Sequence, residues 1–583
     1  MSALLAAPQG MERRDVHWVY LSTVYFLLAG AVFYLYLAHV LPPSELGAVV
    51  ILQAIGTVVS TAVALGLGSG FQHFLSYYRG RQDSGVIRVL LRGSIAASAL
   101  LAVVGFTLTF ALSGELGSLL FRSSAYESTL ELLSLYAGLA TAMTILQGVV
   151  LGLQRFVLYS MRSVVTYTIT YGAAVLFLSF RPGVSSIVAG WILGTAVGCA
   201  LYLGAMLKGA TILGTPTERE PAPRFAAQPL YRSVVLYAVP VFVSSVITTS
   251  STYVDRLVLA SISNLASVGF YNFALLFVTG SLVLTVPFLT ILVPRLSEHL
   301  GRDERGTIRA ITRTCITLIA LVYVPFALIV AALGPFLLRY LVGASFVQDS
   351  LPMAVLLALT AAAIPVTILR SLAAGIRRTP SLMRASAAAL VANIALSLVL
   401  IPRIGVLGAA LGNSAMYWAP LFVLSLELRG SGFVDVDLRS LARIWLAAGA
   451  MTVAIASPLL EWGYRPILVL GSLALGCIVL VVGLRLFRAI PADAAEMLVD
   501  LVPRRMGFLV PAICWVSACD HCHHGKGVRG VTTSAGRELR LSTEPVRQSW
   551  PNGPLQVPSQ TSGPSRQRAV PADGSPATVE EVR

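Results

Sequence analysis

L-P-P-S-E-L-G at 41–47 and S-V-G-F-Y-N-F-A at 267–274 each lead into a long apolar run, and their glycines, Gly47 and Gly269, stand 222 residues apart. The same register sets Met161 and Arg162 on Met383 and Arg384, and Gly183 and Val184 on Gly405 and Val406. One residue out of step, Gly152 and Arg155 fall on Gly375 and Arg378. Each matched site is a turn between apolar runs, so the hydrophobic first half of the chain reads as a copy of the second. Each copy holds six runs. An even number brings both copies into and out of a membrane on the same side, which makes a parallel repeat about an axis along the membrane normal. Transporters built on such repeats hold their cargo between the halves.

Composition points the same way. Of 583 residues, 56% are hydrophobic and only 12% charged, with a mean hydropathy of +0.79. Such values lie outside the range of soluble domains. About 20 apolar residues cross ~30 Å of hydrocarbon, and about fourteen stretches qualify. They lie roughly at 17–40, 46–70, 93–112, 130–153, 163–180, 184–207, 234–262, 268–293, 314–333, 351–369, 385–401, 406–426, 444–460 and 466–484. A transmembrane barrel would instead show alternating segments of ~10 residues. The expected fold is an all-α polytopic membrane protein: two six-helix bundles and an extra helix pair.

The expected segments are an N-terminus (1–16), a first lobe (17–207), a proline-rich linker (208–233), a second lobe (234–428), the extra pair (441–486) and a tail (487–583). The first run follows Arg13 and Arg14 directly, is long and carries no cleavage site, so it is read as a span and not a signal peptide. Spans one to six lack internal proline, whereas Pro240, Pro287, Pro325, Pro365 and Pro420 fall within spans of the second copy. Kinks are expected there, although membrane helices tolerate proline in any case. From Pro491, P-A-D-A-A-E-M-L-V-D-L-V reads as a short amphipathic surface helix. Beyond Pro503 no apolar period is apparent, which predicts disorder and tolerance of truncation.

The net charge of +15 suggests nucleic acid, but its distribution excludes that reading. Arg79, Arg81, Arg88 and Arg92 fall in the second turn, Arg155 and Arg162 in the fourth, and Lys208, Arg219, Arg224 and Arg232 in the sixth. Arg295, Arg302, Arg305 and Arg309 fall in the eighth, Arg370, Arg377, Arg378 and Arg384 in the tenth, and Arg429 and Arg439 in the twelfth. The odd-numbered turns carry single arginines. This alternation is the positive-inside rule, with both termini cytoplasmic and the basic excess facing anionic lipid.

Drawn with those bounds, the spans contain Asp255 and Arg256 on the seventh and Glu131 at the edge of the fourth. A charge at the bilayer centre costs about 2.5–3.5 kcal/mol on insertion scales, which makes each a candidate functional group. Adjacent helical residues point about 100° apart, so Asp255 and Arg256 do not simply neutralise each other. In a cavity, Arg256 would suit a diphosphate and Asp255 a proton or Na⁺. The alternative is an interfacial pair: Asp255 lies about seven residues, or ~10 Å, from the outer end, and Arg256 can snorkel from there. Uncharged polar residues within spans are Gln53, Gln147, Asn272, Asn393, Asn413, Tyr25, Tyr253 and Tyr271. Hydrogen bonding between helices accounts for such residues in general. The candidate transport cavity is Asp255, Arg256, Gln53, Tyr25, Tyr271 and Asn272.

The cysteine and histidine cluster at 514–524 lacks a second knuckle at zinc-site spacing, so no metal or cofactor is expected. The six cysteines form no readable disulfide framework. No phosphate-binding loop is present, and the outer turns at 112–128 and 334–350 offer no carboxylate or histidine cluster for acid–base chemistry. An enzyme is not expected.

Beyond this patterning the chain resembles the polysaccharide flippases (Wzx-type) of the multidrug/oligosaccharidyl-lipid/polysaccharide exporter superfamily. The resemblance covers roughly residues 15–490. It rests on L-P-P-S-E-L-G at 41–47, A-L-G-L-G-S-G-F at 64–71, Y-V-D-R at 253–256 and S-V-G-F-Y-N-F-A at 267–274. V-P-R-L-S at 293–297 and I-P-R-I-G-V-L-G-A-A at 401–410 complete the set. It implies two six-helix bundles in a V around a cavity, rocking between inward and outward openings in the cell membrane. The implied cargo is an oligosaccharide on a polyprenyl diphosphate, moved from the cytoplasmic to the outer leaflet under an H⁺ or Na⁺ gradient or the membrane potential. Polysaccharide-assembly proteins would be its partners, alongside the lipid bilayer. Asp255 stands where family members commonly carry an aspartate on the seventh helix. The extra pair resembles that of lipid II flippases, although the arginines those carry in their first spans are absent from 17–70. A multidrug-extrusion antiporter and a lipid II-type flippase are the alternatives in class, and a membrane enzyme of glycan assembly is the alternative outside it.

The arginine alternation generates a topology test. Reporter fusions at Lys208, Gly301 and Arg429 are expected to read cytoplasmic, and fusions at Gly114 and Gly343 external. An external reading at Arg429 would break the assignment.

Overall fold

A computed structural model describes residues 13–81, 83–212, 227–282, 304–375, 378–429, 434, 436–491, 494–495 and 515–517. Among them, fourteen helices are long and apolar enough to cross a membrane. They run from Leu21–Val40 and Pro43–Val63 to Leu438–Trp462 and Pro466–Leu486. The turns after odd-numbered spans lie on one side, here the odd side, and the turns after even-numbered spans on the other. The expected linker is shorter than its sequence suggests: helices Val184–Ile212 and Ala227–Ile262 run into it, and residues 213–226 lie outside the described set.

The second span does not run unbroken over 46–70 as expected. It ends at Val63, Leu65 and Gly66 take φ of 51° and 68°, and the chain restarts as Leu67–Gly80. Two consecutive left-handed residues cannot belong to an α-helix. The break is held from outside, because a Cβ on Gly66 would overlap the carbonyl oxygen of Ala238 on the seventh span. The first copy thus has a bend without proline. In the second copy Pro240, Pro325 and Pro420 lie inside helices, while Pro287 falls outside the described residues. The tenth span, Ala344–Ala373, contains 3₁₀ turns at Ala344–Asp349 and Thr360–Ala362, the latter just before Pro365.

The duplication extends to turns where the sequence shows little. A short helix at Ser113–Leu116 passes into a π turn at Gly117–Phe121 and then a 3₁₀ turn at Ser124–Tyr126. In the second copy Gly334–Leu337, Leu338–Val342 and Ala344–Asp349 repeat that order.

Helices in lipid gain little from excluding water, so close packing of small residues holds them together. Here it works within and between the copies. Gly148 lies against the backbone of Gly68, and Gly190 against Ala174. At the odd side the two register-matched glycines meet. A Cβ on Gly47 would overlap the carbonyl oxygen of Leu265, and one on Gly269 would overlap that of Pro43. Nearby, the Arg122 guanidinium donates to the Ser261 carbonyl. Toward the even side, His73 stacks on Tyr237 with ring centroids 4.4 Å apart, and the Tyr231 hydroxyl donates to the Val89 carbonyl at 2.9 Å. The copies therefore touch at two levels, near opposite ends of the spans.

The extra pair packs on the ninth span, Arg305–Ala332. Asp437 caps its first helix by accepting from the Ser440 amide at 3.1 Å, and also accepts from Arg313 at 2.7 Å. Partial burial alone would raise the Asp437 carboxyl, but Ser440 and Arg313 hold it down at about 2. Part of the tail departs from the expected disorder. Residues 515–517 are helical, Val516 packs with Leu318, Ile490 and Ala494, and Trp515 stacks against Arg485 at 3.9 Å. The tail's overall composition hid an apolar stretch, M-G-F-L-V-P-A-I-C-W-V at 506–516. The rest of the tail, with the remainder of the cysteine and histidine cluster, lies outside the described residues.

Two outcomes follow for stability. Gly47→Val forces the helix crossing apart and is expected to lower unfolding stability in detergent by about 1–3 kcal/mol, the usual cost of overpacking; an unchanged melting profile would refute the close crossing. Asp437→Ala is expected to cost about 0.5–2 kcal/mol, as for other lost caps. Because the folded carboxyl titrates below its unfolded value of about 3.9, that contribution is present above pH ~4 and lost as pH falls toward 2. Melting curves of both proteins across that window should therefore converge at the acid end.

Candidate functional site

Asp255 lies on the seventh span, Leu230–Ile262, and is fully enclosed. Its Oδ2 accepts from the Tyr271 hydroxyl at 2.5 Å and from Asn413 Nδ2 at 3.0 Å. The Tyr271 hydroxyl also lies 3.3 Å from the Ala409 carbonyl. Three spans thus converge on one carboxylate: the seventh, the eighth through Tyr271 and the twelfth through Ala409 and Asn413. Its other oxygen, Oδ1, is buried without a partner. One turn earlier, the Ser251 carbonyl accepts from Asn393 Nδ2 at 2.8 Å, and Ser397 donates to Asn393 Oδ1 at 3.1 Å. The second copy therefore has two polar clusters one turn apart along the seventh span.

Arg256 takes no part in those hydrogen bonds, although it acts electrostatically on Asp255, Tyr271 and Tyr417. Its guanidinium lies over the Tyr253 ring at 5.0 Å, its Nε is buried without a partner, and it interacts electrostatically with Tyr34 of the first copy. Tyr34 in turn donates to Gln53 Oε1 at 2.5 Å. Asp255 is thus held within one copy, while Arg256 lies near the other.

The six expected residues divide accordingly. Asp255 and Tyr271 are bonded, and Gln53 joins through Tyr34, near Arg256. Tyr25 is elsewhere, its hydroxyl 2.6 Å from that of Thr168 on the fifth span. Asn272 is half-buried and has no hydrogen bond among the described residues. Asn413 belongs to the site although the expected set omitted it, and so does Tyr34. The rings of Phe33, Tyr167 and Tyr171 stack between the first and fifth spans, with Phe33 and Tyr171 4.6 Å apart. The available signal was the polar or aromatic character of these residues within apolar runs.

Several arginines expected in turns lie in helices instead, among them Arg88, Arg92, Arg162, Arg232, Arg309, Arg370 and Arg384. Arg162 is within the fifth span, Phe156–Phe180, and is only 6% exposed. It donates to the Tyr202 hydroxyl at 2.9 Å and to Gln147 Oε1 at 3.1 Å, with no carboxylate among these partners. Arg370 lies within the tenth span. The repeat-matched Arg384 pairs with Glu427 at 3.0 Å. Glu131 is exposed one turn into the fourth span. Between the copies a cavity of about 180 Å³ is lined by Thr61, Ser69, Gln72, Thr144, Gln147 and Ser245. Ala64, Leu151 and three glycines complete the lining, which is mixed and carries no charge, so its hydroxyls and amides can hydrogen-bond hydroxyl-bearing groups.

Comparison with known proteins places this arrangement. The chain is similar in structure to the lipid II flippase MurJ in an inward closed conformation. That match has a TM-score of 0.61 and 15% identity over 80% of this chain and 98% of the other. It is also similar to an inward-facing multidrug resistance MATE family transporter of the MOP superfamily. There the TM-score is 0.55, with 14% identity over 70% and 94% of the two chains. At these identities the likeness speaks for the fold, which is the exporter fold of that superfamily. No curated protein matches the chain in sequence. Residues 13–300 match the family described as polysaccharide biosynthesis protein. The matched stretch is just under half of the chain.

Proposed function

We propose that this protein is a flippase. It carries an oligosaccharide linked to a polyprenyl diphosphate from the cytoplasmic to the outer leaflet of the cell membrane, for glycan assembly. The family match and the exporter fold support a transporter in polysaccharide synthesis. The observation that carries the mechanism is Asp255: a fully enclosed carboxylate with one oxygen satisfied and one bare. A bare buried carboxylate oxygen is costly unless a proton or small cation occupies it. Asp255 therefore takes H⁺ or Na⁺ from the gradient. Occupancy changes the charge at the point where three spans of the second copy meet, and so biases which end of the cavity is open. Arg256, near the first copy and outside that cluster, meets the diphosphate, whose oxygens match the guanidinium fork. The sugar occupies the space between the copies while the lipid tail stays in the bilayer. Both termini are cytoplasmic.

Asp255→Asn keeps the shape and removes the titratable charge. Arg256→Lys keeps the charge and removes the fork. At matched membrane abundance, each is expected to slow the appearance of lipid-linked oligosaccharide in the outer leaflet by more than about tenfold, the worth of one charge-assisted contact. Asp255→Asn should also abolish dependence on the ion gradient. Near-normal translocation in both variants would reduce the pair to interfacial anchors. Drug export with no effect on the lipid-linked sugar would favour a multidrug antiporter.

A further inference from the structure

Arg370 sits on Ala363–Gly375, five residues or ~7.5 Å from that helix's even-side end, at the rise per residue of an α-helix. It lines a cavity of about 140 Å³ enclosed by the seventh, tenth, eleventh and twelfth spans. That is well below the ~300–1,000 Å³ of a pocket for a drug-sized ligand, so the space admits one compact group. Arg370 makes no hydrogen bond or ion pair with any described residue, and its Nε is wholly buried. Two further donors in the lining, the hydroxyls of Ser386 and Tyr417, likewise have no described partner. Thr248, Thr252 and Thr367 are different: their hydroxyls donate to carbonyls of their own helices at 2.9, 3.0 and 2.8 Å. No carboxylate lines the cavity.

A cation and two neutral donors without a described hydrogen-bond partner make up the inverse of a cation site, although Asp255, outside the lining, acts electrostatically on Tyr417. A half-buried guanidinium whose Nε is enclosed and which has no described partner favours an anion, and its planar fork fits tetrahedral oxyanions. We propose that this cavity is a binding site for a single phosphate group, held by Arg370, Ser386 and Tyr417. The inference does not depend on the flippase reading. Two sources supply such a group, a polyprenyl phosphate headgroup and free inorganic phosphate, and the chemistry at Arg370 is the same for both. Arg256 is not among the lining residues, although it acts electrostatically on Tyr417.

The test uses the purified full-length protein and calorimetric titration with inorganic phosphate. Saturable binding is expected. Arg370→Gln should weaken it at least about tenfold, since charge-assisted bonds are the strong class, and Arg370→Lys should restore part of it. Nanodiscs of phosphatidylcholine with and without polyprenyl monophosphate distinguish the source. Competition by the lipid assigns a headgroup, and unchanged phosphate binding assigns the free anion. Should Arg370→Gln fail to fold, the double variant Ser386→Ala, Tyr417→Phe keeps the arginine and should still weaken binding. Absence of saturable binding to wild-type protein by either probe would overturn the site. So would binding by Arg370→Gln, or by the double variant, at wild-type strength. Lost translocation with phosphate binding intact would count against the flippase reading and leave this site standing.

Discussion

The crossing of two helices at a pair of glycines is the constraint on which the rest of the structure depends. Gly47 and Gly269 occupy equivalent places in the duplication, and each lies against the backbone at the start of the other's helix. No side chain fits there, so the copies approach at one end of the membrane as closely as backbone allows. A second contact level, near Tyr231, Tyr237 and His73, lies toward the other end. In the proposed transport cycle, one contact is exchanged for the other by rotation of the halves as units, because packed helices are not continuously deformable. The cavity between the copies and the Arg256–Tyr34 approach lie between those levels.

The placement of charge follows the same division. Asp255 is held entirely by residues of its own copy, and Arg256, one position along, lies near the other copy. A helical offset of about 100° is enough to separate the two roles. Under the proposed flippase function, a charge change at Asp255 acts on packing inside one bundle, whereas Arg256 faces the space between bundles. Arg162 is handled differently. It is buried with neutral partners, Tyr202 and Gln147, which satisfy its donors without cancelling its charge. The first copy therefore carries a standing positive charge near the cavity lined by Gln147.

Much of the fold was legible because membrane spans are written in length and apolarity, and all fourteen expected runs correspond to helices. The register of 222 also matched Gly47 with Gly269 as equivalent positions, and their contact is seen only in the structure. Arg162 and Arg370 were misplaced for a physical reason. Bounds drawn to exclude charge push every arginine into a turn, yet a long guanidinium side chain can sit inside a helix when polar neighbours meet it. Leu65 gave no warning, since a left-handed leucine is set by the approach of Ala238 to Gly66 and not by local preference. The Asp255–Asn413 bond joins residues 158 positions apart, so it had no local signature. Residues 515–517 were hidden by the polar composition around them.

The most direct test of two halves rocking about these contacts is a distance across the odd side. Ser123 and Ile262 are exposed there, one on each copy. Spin labels at both positions, with the native cysteines replaced, would report that distance by pulsed electron resonance in nanodiscs, with and without Na⁺ and across pH. The account predicts a short separation when the Gly47–Gly269 crossing is made and a second, longer one whose population shifts with the ion. A single short distance under every condition would contradict it.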